Sequence, residues 1–282
     1  VKFAGKVGDG DVTLDAQPGG ITFQLAADRQ SASLSVASDA LPGLQWLRLK
    51  NPHGATELFP FVVGLVPEAG ETEPNNRLAD AQAVMLPSVT LNGVLQDSKD
   101  VDTFAVDLAR GQTLVAEMQA AEPFGSPMDG VVQIVTAGGA VIAQNDDDVG
   151  RDPRLVFCAP SDGRWFVRTF AFSGTPSSSI SFSGGDDHVY RLTLTTQGVI
   201  SHCHPAVLSV QQLDRTVTAA GWNLPSNPQS IRNGRFASFD GYALPFTLRQ
   251  VSLPVVVETD VSGQHLTLPI AVSGSLEAGV HD

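Results

Sequence analysis

Carboxylates crowd the stretch from Glu71 to Asp102. It opens with Glu71-Thr72-Glu73-Pro74-Asn75-Asn76 and closes with Asp97-Ser98-Lys99-Asp100-Val101-Asp102. Side chains on extended backbone alternate with a period of two, so Glu71 and Glu73 point the same way. Pro74 biases Glu73 toward the β or polyproline region and has no N–H to give, which keeps the segment extended. Asn75 and Asn76 add neutral amide oxygens and stand where they can cap a short helical turn over Arg77-Leu78-Ala79-Asp80-Ala81. If the two ends meet, they form a cage of hard oxygen donors without His or Cys. Such a cage suits Ca²⁺, which takes about 6–8 oxygens at about 2.3–2.6 Å. A solvated acidic face is the competing reading, and spacing alone does not separate the two.

Other chemistry is sparser. Asn145-Asp146-Asp147-Asp148 falls between strands and, with Asp129, is a second candidate cation site. The plainer reading is a turn whose Asx side chains bond neighbouring backbone amides. Ser126, in Phe124-Gly125-Ser126-Pro127, has no nearby His to activate it. His202-Cys203-His204 places three zinc- or copper-type ligands together, but alternation aims Cys203 away from the histidines and no fourth ligand is evident. Trp222 reads as a core anchor. The chain has no Gly-x-Ser-x-Gly, His-Glu-x-x-His, Gly-rich phosphate loop or Cys-x-x-Cys. The pattern favours binding over catalysis.

The elements that must position these groups read as strands. Only 17% of the 282 residues are charged, and short apolar runs are broken by Gly and Pro. Strands are predicted at Ile21–Leu25, Ala32–Val36, Leu44–Leu49 and Leu58–Val63, with turns at Asp9-Gly10, Pro18-Gly19 and Pro42-Gly43. Farther on, alternation puts Phe104/Val106/Leu108, Leu114/Ala116/Met118, Val132/Ile134, Leu155/Phe157, Trp165/Val167 and Tyr190/Leu192/Leu194 each on one face. Seven or eight such strands suit a two-sheet sandwich. The net charge of −13 argues against nucleic acid and anionic membranes as partners. The most apolar stretch, Leu58 to Val66, is short and interrupted by Pro60, so no membrane insertion is expected. The chain opens at Val1 without a signal sequence, as a mature form or a fragment would.

The motifs ETEPNN, Leu86-Pro87, Asn92-Gly93, Asp100-Val101-Asp102-Thr103-Phe104, Gly125-Ser126-Pro127-Met128-Asp129, Asn145-Asp146-Asp147-Asp148, Ala159-Pro160-Ser161-Asp162-Gly163 and Tyr190-Arg191-Leu192 follow in order. Together they resemble a bacterial pre-peptidase C-terminal (PPC) domain over residues 71–198. That family is a secreted, non-catalytic β-sandwich similar to the collagen-binding modules of bacterial collagenases. The resemblance implies that Glu71, Glu73, Asn75 and Asn76 match its calcium-ligand segment. Asp97 and Asp100 are the best matches to its later acidic pair. Asp102 is held in reserve because it shares parity with the inward Phe104, and Tyr190 would supply an oxygen or orient a carboxylate.

Weaker patterns flank this region. Pro42-Gly43, Leu47-Arg48-Leu49, Gly54 and Pro60-Phe61-Val62-Val63 resemble an immunoglobulin-like module of the IPT/TIG type at 1–66, whose start reads as incomplete. Val207 to Val210 and Thr216 to Leu224 resemble a second at 204–253. An internal repeat then aligns Leu65–Glu73 with Ser252–Asp260, 187 residues on, and Leu268-Pro269, Ser273-Gly274 and His281-Asp282 echo Leu86-Pro87, Asn92-Gly93 and Asp102. Residues 258–282 would begin a second PPC-type domain, without the Pro-Asn-Asn that follows the glutamates in the first. The expected fold is all-β, as tandem β-sandwiches: Ig-like, a jelly-roll-like PPC sandwich, then Ig-like. Cys158 should face away from Phe157, and the linker carrying Cys203 leaves the same sandwich, so a Cys158–Cys203 bridge is a candidate in an oxidising compartment, with two free thiols as the alternative.

Two functions fit. One is a calcium-stabilised adhesion or spacer region of a large secreted or cell-surface protein, meeting extracellular protein or polysaccharide and neighbouring repeats of its own chain. The other is the substrate-targeting accessory part of a secreted peptidase or other hydrolase whose catalytic domain lies outside these residues.

Overall fold

In the computed structural model, residues 7–173, 181–211, 215–225, 230–232, 235–236, 240–258 and 265–274 are described. The start of the first module, residues 174–180 and the expected echo at His281-Asp282 lie outside them. Six strands come first: β1 (Thr13–Gln17), β2 (Ile21–Leu25), β3 (Ala32–Val36), β4 (Gly43–Asn51), β5 (Gly54–Ala55) and β6 (Phe59–Val63). β4 pairs with β1, β5 and β6, while β2 and β3 form a separate hairpin. Alternation on β4 buries Leu47 and Leu49.

The central unit runs through β7 (Glu68–Gly70), a 3₁₀ turn (Leu78–Asp80), β8 (Gln82–Ala83), β9 (Ser88–Val94), β10 (Asp102–Leu108), β11 (Thr113–Gln119), β12 (Met128–Val135), β13 (Val141–Asn145), β14 (Arg154–Cys158), β15 (Gly163–Ser173), β16 (Phe182–Ser183) and β17 (Val189–Thr195). One sheet is ordered β13-β12-β15-β10-β8, with β16 also on β15; the other is ordered β14-β11-β17-β9-β7. Their facing sides meet in a single apolar core that contains every inward residue the alternation predicts, from Phe104 to Leu194. A residue at every second position must be covered from one side only, and two stacked sheets provide that.

The lead-in segment is the exception to antiparallel pairing. β7 runs parallel to β9 at the edge of one sheet, and β8 runs parallel to β10 at the edge of the other. Residues 71–77 and the turn after them therefore cross from sheet to sheet at the open side of the sandwich. Leu78 and Ala81 then pack outside, on Ala105, Val135 and Phe166. The expected Asn cap is not formed: Arg77 occupies the cap position without a side-chain bond and its guanidinium pairs with Asp80.

Beyond the sandwich come β18 (Val199–His204), β19 (Val207–Ser209), β20 (Arg215–Thr216), β21 (Thr218–Trp222), β22 (Ser230–Arg232), β23 (Arg235–Phe236), β24 (Arg249–Val251), β25 (Val255–Val257) and β26 (Ala271–Ser273). Ile200, Cys203, Leu208, Val217, Tyr242 and Leu248 form a second, smaller core, and Leu65, which precedes the sandwich in the chain, packs on it. Asn223 donates to the Thr113 carbonyl and Arg154 lies over the Trp222 ring, so Trp222 meets the sandwich with its face.

The candidate disulfide is not formed; both cysteines are free. Alternation explains this. Cys158 points out of β14 into solvent, whereas Cys203 points into the second core, where burial pushes its thiol up to about 11. Among the described residues no helix is long and apolar enough to cross a membrane.

Candidate metal centre

The acidic lead-in meets the sandwich where it crosses between sheets. The Glu71 N–H donates to the Asn92 carbonyl, extending the β7–β9 ladder by one residue. Gln82 braces the crossing: its Oε1 accepts from Thr72 N–H and its Nε2 donates to the Gly70 carbonyl. Glu71 then reaches over β9. Its Oε1 accepts from Val94 N–H at 2.7 Å, and its Oε2 lies 3.0 Å from the Tyr190 hydroxyl. That hydroxyl is also 2.5 Å from Asp102 Oδ2 at the start of β10.

Gly93 makes this reach feasible. A Cβ there would stand 2.3 Å from the Tyr190 hydroxyl and 2.6 Å from Glu71 Oε2. A glycine inside a strand marks such close approach. The sequence displayed Gly93, but its role depends on Tyr190, nearly a hundred positions away.

Carboxylate oxygens of Glu71, Glu73 and Asp102 lie within 4.8 Å of one another. Two ligands on opposite sides of a Ca²⁺ are about 5 Å apart, twice the usual bond length, so the spacing fits one ion. Burial, then the hydrogen bond and charge of Glu71, push Asp102 up to about 9. Burial also raises Glu73 and Asp100, each helped by neighbouring acidic charge. Tyr190 is driven well above its ordinary value by burial, with Asp102 and Glu71 adding to it. This is how a carboxylate cluster behaves with no cation counted.

Neutral oxygens are present too. Asn75, whose N–H donates to Glu73 Oε2, is fully buried, and both side-chain amide atoms lack a partner. Asp102 Oδ1 is likewise buried and unpartnered. Orphaned buried polar atoms are uncommon in proteins, and a bound ion is one way to satisfy them.

The remaining residues divide. Asp100 is buried beside the cluster, where its charge helps to raise Glu73, and it accepts from Gln96 N–H. Asp97 is exposed and spends an oxygen on Lys99 N–H, and Asn76 is exposed outside the three-carboxylate group. Asp102, the reserve on sequence grounds, is thus inside the cluster, and Asp97 is not. Parity placed Asp102 inward correctly; the inward position is where the cluster lies.

The second acidic group comes together only in part. Asp146 and Asp147 act on Asp129, whose carboxyl is raised by burial first and by those charges next. Asp148 instead pairs with Arg154 at 3.5 Å, and Asn145 Oδ1 accepts from Arg154 N–H. Asp152, which sequence reasoning passed over, anchors this turn by accepting from the N–H groups of Ala120, Ala121 and Glu122. Ser126 is buried and donates to the Asp187 carbonyl. Ser183, His188 and Asp187 form a hydrogen-bonded chain at 2.6 and 2.8 Å. Asp187 is 75% exposed, and the chain braces a turn whose backbone is tied to Leu95.

No protein-family model matches the chain. A probable subtilase-type serine protease of Deinococcus radiodurans is 28% identical over 116 residues, covering 41% of this chain and 15% of the protease. Among solved structures, the pre-peptidase C-terminal domain of a Bacillus anthracis collagenase is 12% identical at a TM-score of 0.30, covering 44% of this chain and 98% of that one. Aeromonas hydrophila PliG, a periplasmic inhibitor of g-type lysozyme, matches at 12% identity and a TM-score of 0.30, covering 41% and 94%. The central region is a two-sheet β-sandwich.

Proposed function

We propose that this chain is a non-catalytic accessory region of a secreted bacterial protein, whose sandwich at 71–198 is stabilised by one Ca²⁺. The ligands are Glu71, Glu73, Asp102 and Asn75, with Asp100 adjoining and Tyr190 orienting Glu71 and Asp102. One observation carries the reading: three carboxylates, one of them (Asp102) with an unpartnered buried oxygen, gather where the lead-in crosses between sheets, and Asn75 in that lead-in has a buried, unpartnered amide. An ion there neutralises the crowded charge and pins the crossing to both sheets. We read 1–66 and 204–253 as Ig-like flanks of the IPT/TIG type and 258–282 as the lead-in of a second sandwich.

The likeness to a stretch of a subtilase-type protease favours the accessory part of a secreted hydrolase over a free-standing adhesin. A cleft of about 810 Å³ beside the site, walled by Phe61, Phe124, Asn92 and the Glu68–Arg191 ion pair, offers room for an extracellular protein or polysaccharide. The test is calorimetric titration of chelator-stripped protein with Ca²⁺, alongside Asp102→Asn and Glu71→Gln. One ion per chain, lost in both variants, is expected. Absence of binding heat with an unchanged melting temperature would remove calcium from the reading.

A further inference from the structure

The cleft of about 810 Å³ is lined by the first unit on one side and the sandwich on the other, and its lining sorts by chemistry. Pro60 and Phe61 from β6 and Phe124 from the loop before β12 supply ring surfaces. The sandwich presents a polar patch. Arg191 sets both Nη atoms 2.8 Å from the Glu68 carboxylate. Asn92 bridges that pair, donating to Glu68 at 3.0 Å and accepting from Arg191 at 3.2 Å. These planar groups hold one another in place and keep spare N–H groups and lone pairs.

Trp46 extends the aromatic wall. It stands opposite Pro60 in the β4–β6 ladder, and directly opposed residues carry their side chains on one face, with Cβ atoms about 5 Å apart. Trp46 is 40% exposed, whereas Trp165 lies in the sandwich core and Trp222 is covered by Arg154. The exposed amide of Gln17 flanks it on the β1 side. An open indole beside a ring-lined cleft offers a flat apolar surface with a polar tip.

The occupant these groups fit is neutral and hydroxylated. Charges in the cleft are already engaged: Glu68 and Arg191 pair with each other, and Glu71 is held by Val94 N–H and the Tyr190 hydroxyl. An added peptide strand meets a poor edge, because Pro60 interrupts the five residues of β6 and has no N–H. A pyranose ring supplies the complement. Its C–H face lies on aromatic rings, and its adjacent hydroxyls, each donor and acceptor, suit Asn92, Glu68 and Arg191. We propose that the cleft binds one unit of a neutral polysaccharide whose chain continues past Pro60 onto Trp46. The inference rests on the accessory-region reading and names the ligand of its cleft; Trp46, Asn92 and Arg191 stand apart from the proposed cation ligands.

The test titrates the whole chain in Ca²⁺ with cellohexaose, maltohexaose, xylohexaose and chitohexaose, reading binding heat and tryptophan emission. At least one should bind and shift the emission to the blue, while polygalacturonate and gelatin should be inert. Trp46→Ala and Asn92→Ala should each weaken binding about tenfold or more. Trp46→Ala, a change at an exposed side chain, should leave the melting temperature and the Ca²⁺ titration unchanged, so loss of sugar and loss of ion are read apart. A native chain that binds sugar but no Ca²⁺ would overturn the cation reading alone. Three results overturn the proposal: no hexasaccharide bound at about 10 mM, affinity unmoved in both variants, or gelatin or polygalacturonate bound in place of the neutral sugars.

Discussion

The first and second copies of the lead-in share a backbone ladder but not a fate. Val256 lies beside Val272 as Ala69 lies beside Leu91, yet Leu91 is 1% exposed and Val272 is 53% exposed. Local sequence is sufficient to set two strands in parallel register. Burial, and with it stability, comes from the strands that arrive later, because an isolated two-stranded sheet is marginal in water.

The sharpest way to test that contrast is to cut the equivalent side chains. Leu91→Ala should cost about 2–5 kcal/mol, as large-to-small changes in a sealed core do, whereas Val272→Ala should stay within about 0.5 kcal/mol. Urea unfolding followed at Trp165 measures both, and equal losses would dissolve the distinction.

Calcium should also discriminate between the copies. At a hundredfold excess over Kd it should stabilise the sandwich by about 2.7 kcal/mol. Amides of 71–76 should gain exchange protection, and those of 255–258 should not respond.

The two glycines give a smaller, cleaner comparison. At Gly93 an added methyl meets the ring carbon and hydroxyl of Tyr190, which is fixed in the core; at Gly274 it meets the flexible end of Glu258. Overpacking at Gly93→Ala should cost about 1–3 kcal/mol and weaken Ca²⁺ binding. Gly274→Ala should be silent in both melting and titration.

The first copy also carries a pH dependence that the second does not. Asp102 holds its proton up to about 9 when folded, against an ordinary carboxylate value of 3.8 when unfolded. Between those values the folded state binds more protons, so stability present at acid pH is lost as pH rises. Chelated protein should melt lower at pH 8 than at pH 5, because one proton is held by the folded state over that range. With Ca²⁺ the slope should flatten, since the ion takes the place of the proton. A chelated protein more stable at pH 8 would contradict the buried, protonated Asp102.

Much of this was readable from period-two patterning. Phe104, Val106, Trp165 and Leu192 alternate because each strand faces a single core, and that rule is local. Legibility ended where the arrangement depended on distant chain. The bonds from Tyr190 to Glu71 and Asp102 span 119 and 88 positions, so alternation could not place them and only the family resemblance pointed to Tyr190. Asp97 resembled a ligand because it is acidic and close in sequence, yet its own turn claims it through Lys99.

Leu65, just before the sandwich, packs into the same cluster as Ile200, just after it. The backbone of Gly198 is fastened there as well, donating to Gly241 and accepting from Ala243. The sandwich is therefore suspended from a closed neck. Tension drawn along the chain from the first unit to the second would pass through that neck, and the sandwich strands would bear load only after Leu65 had been pulled free.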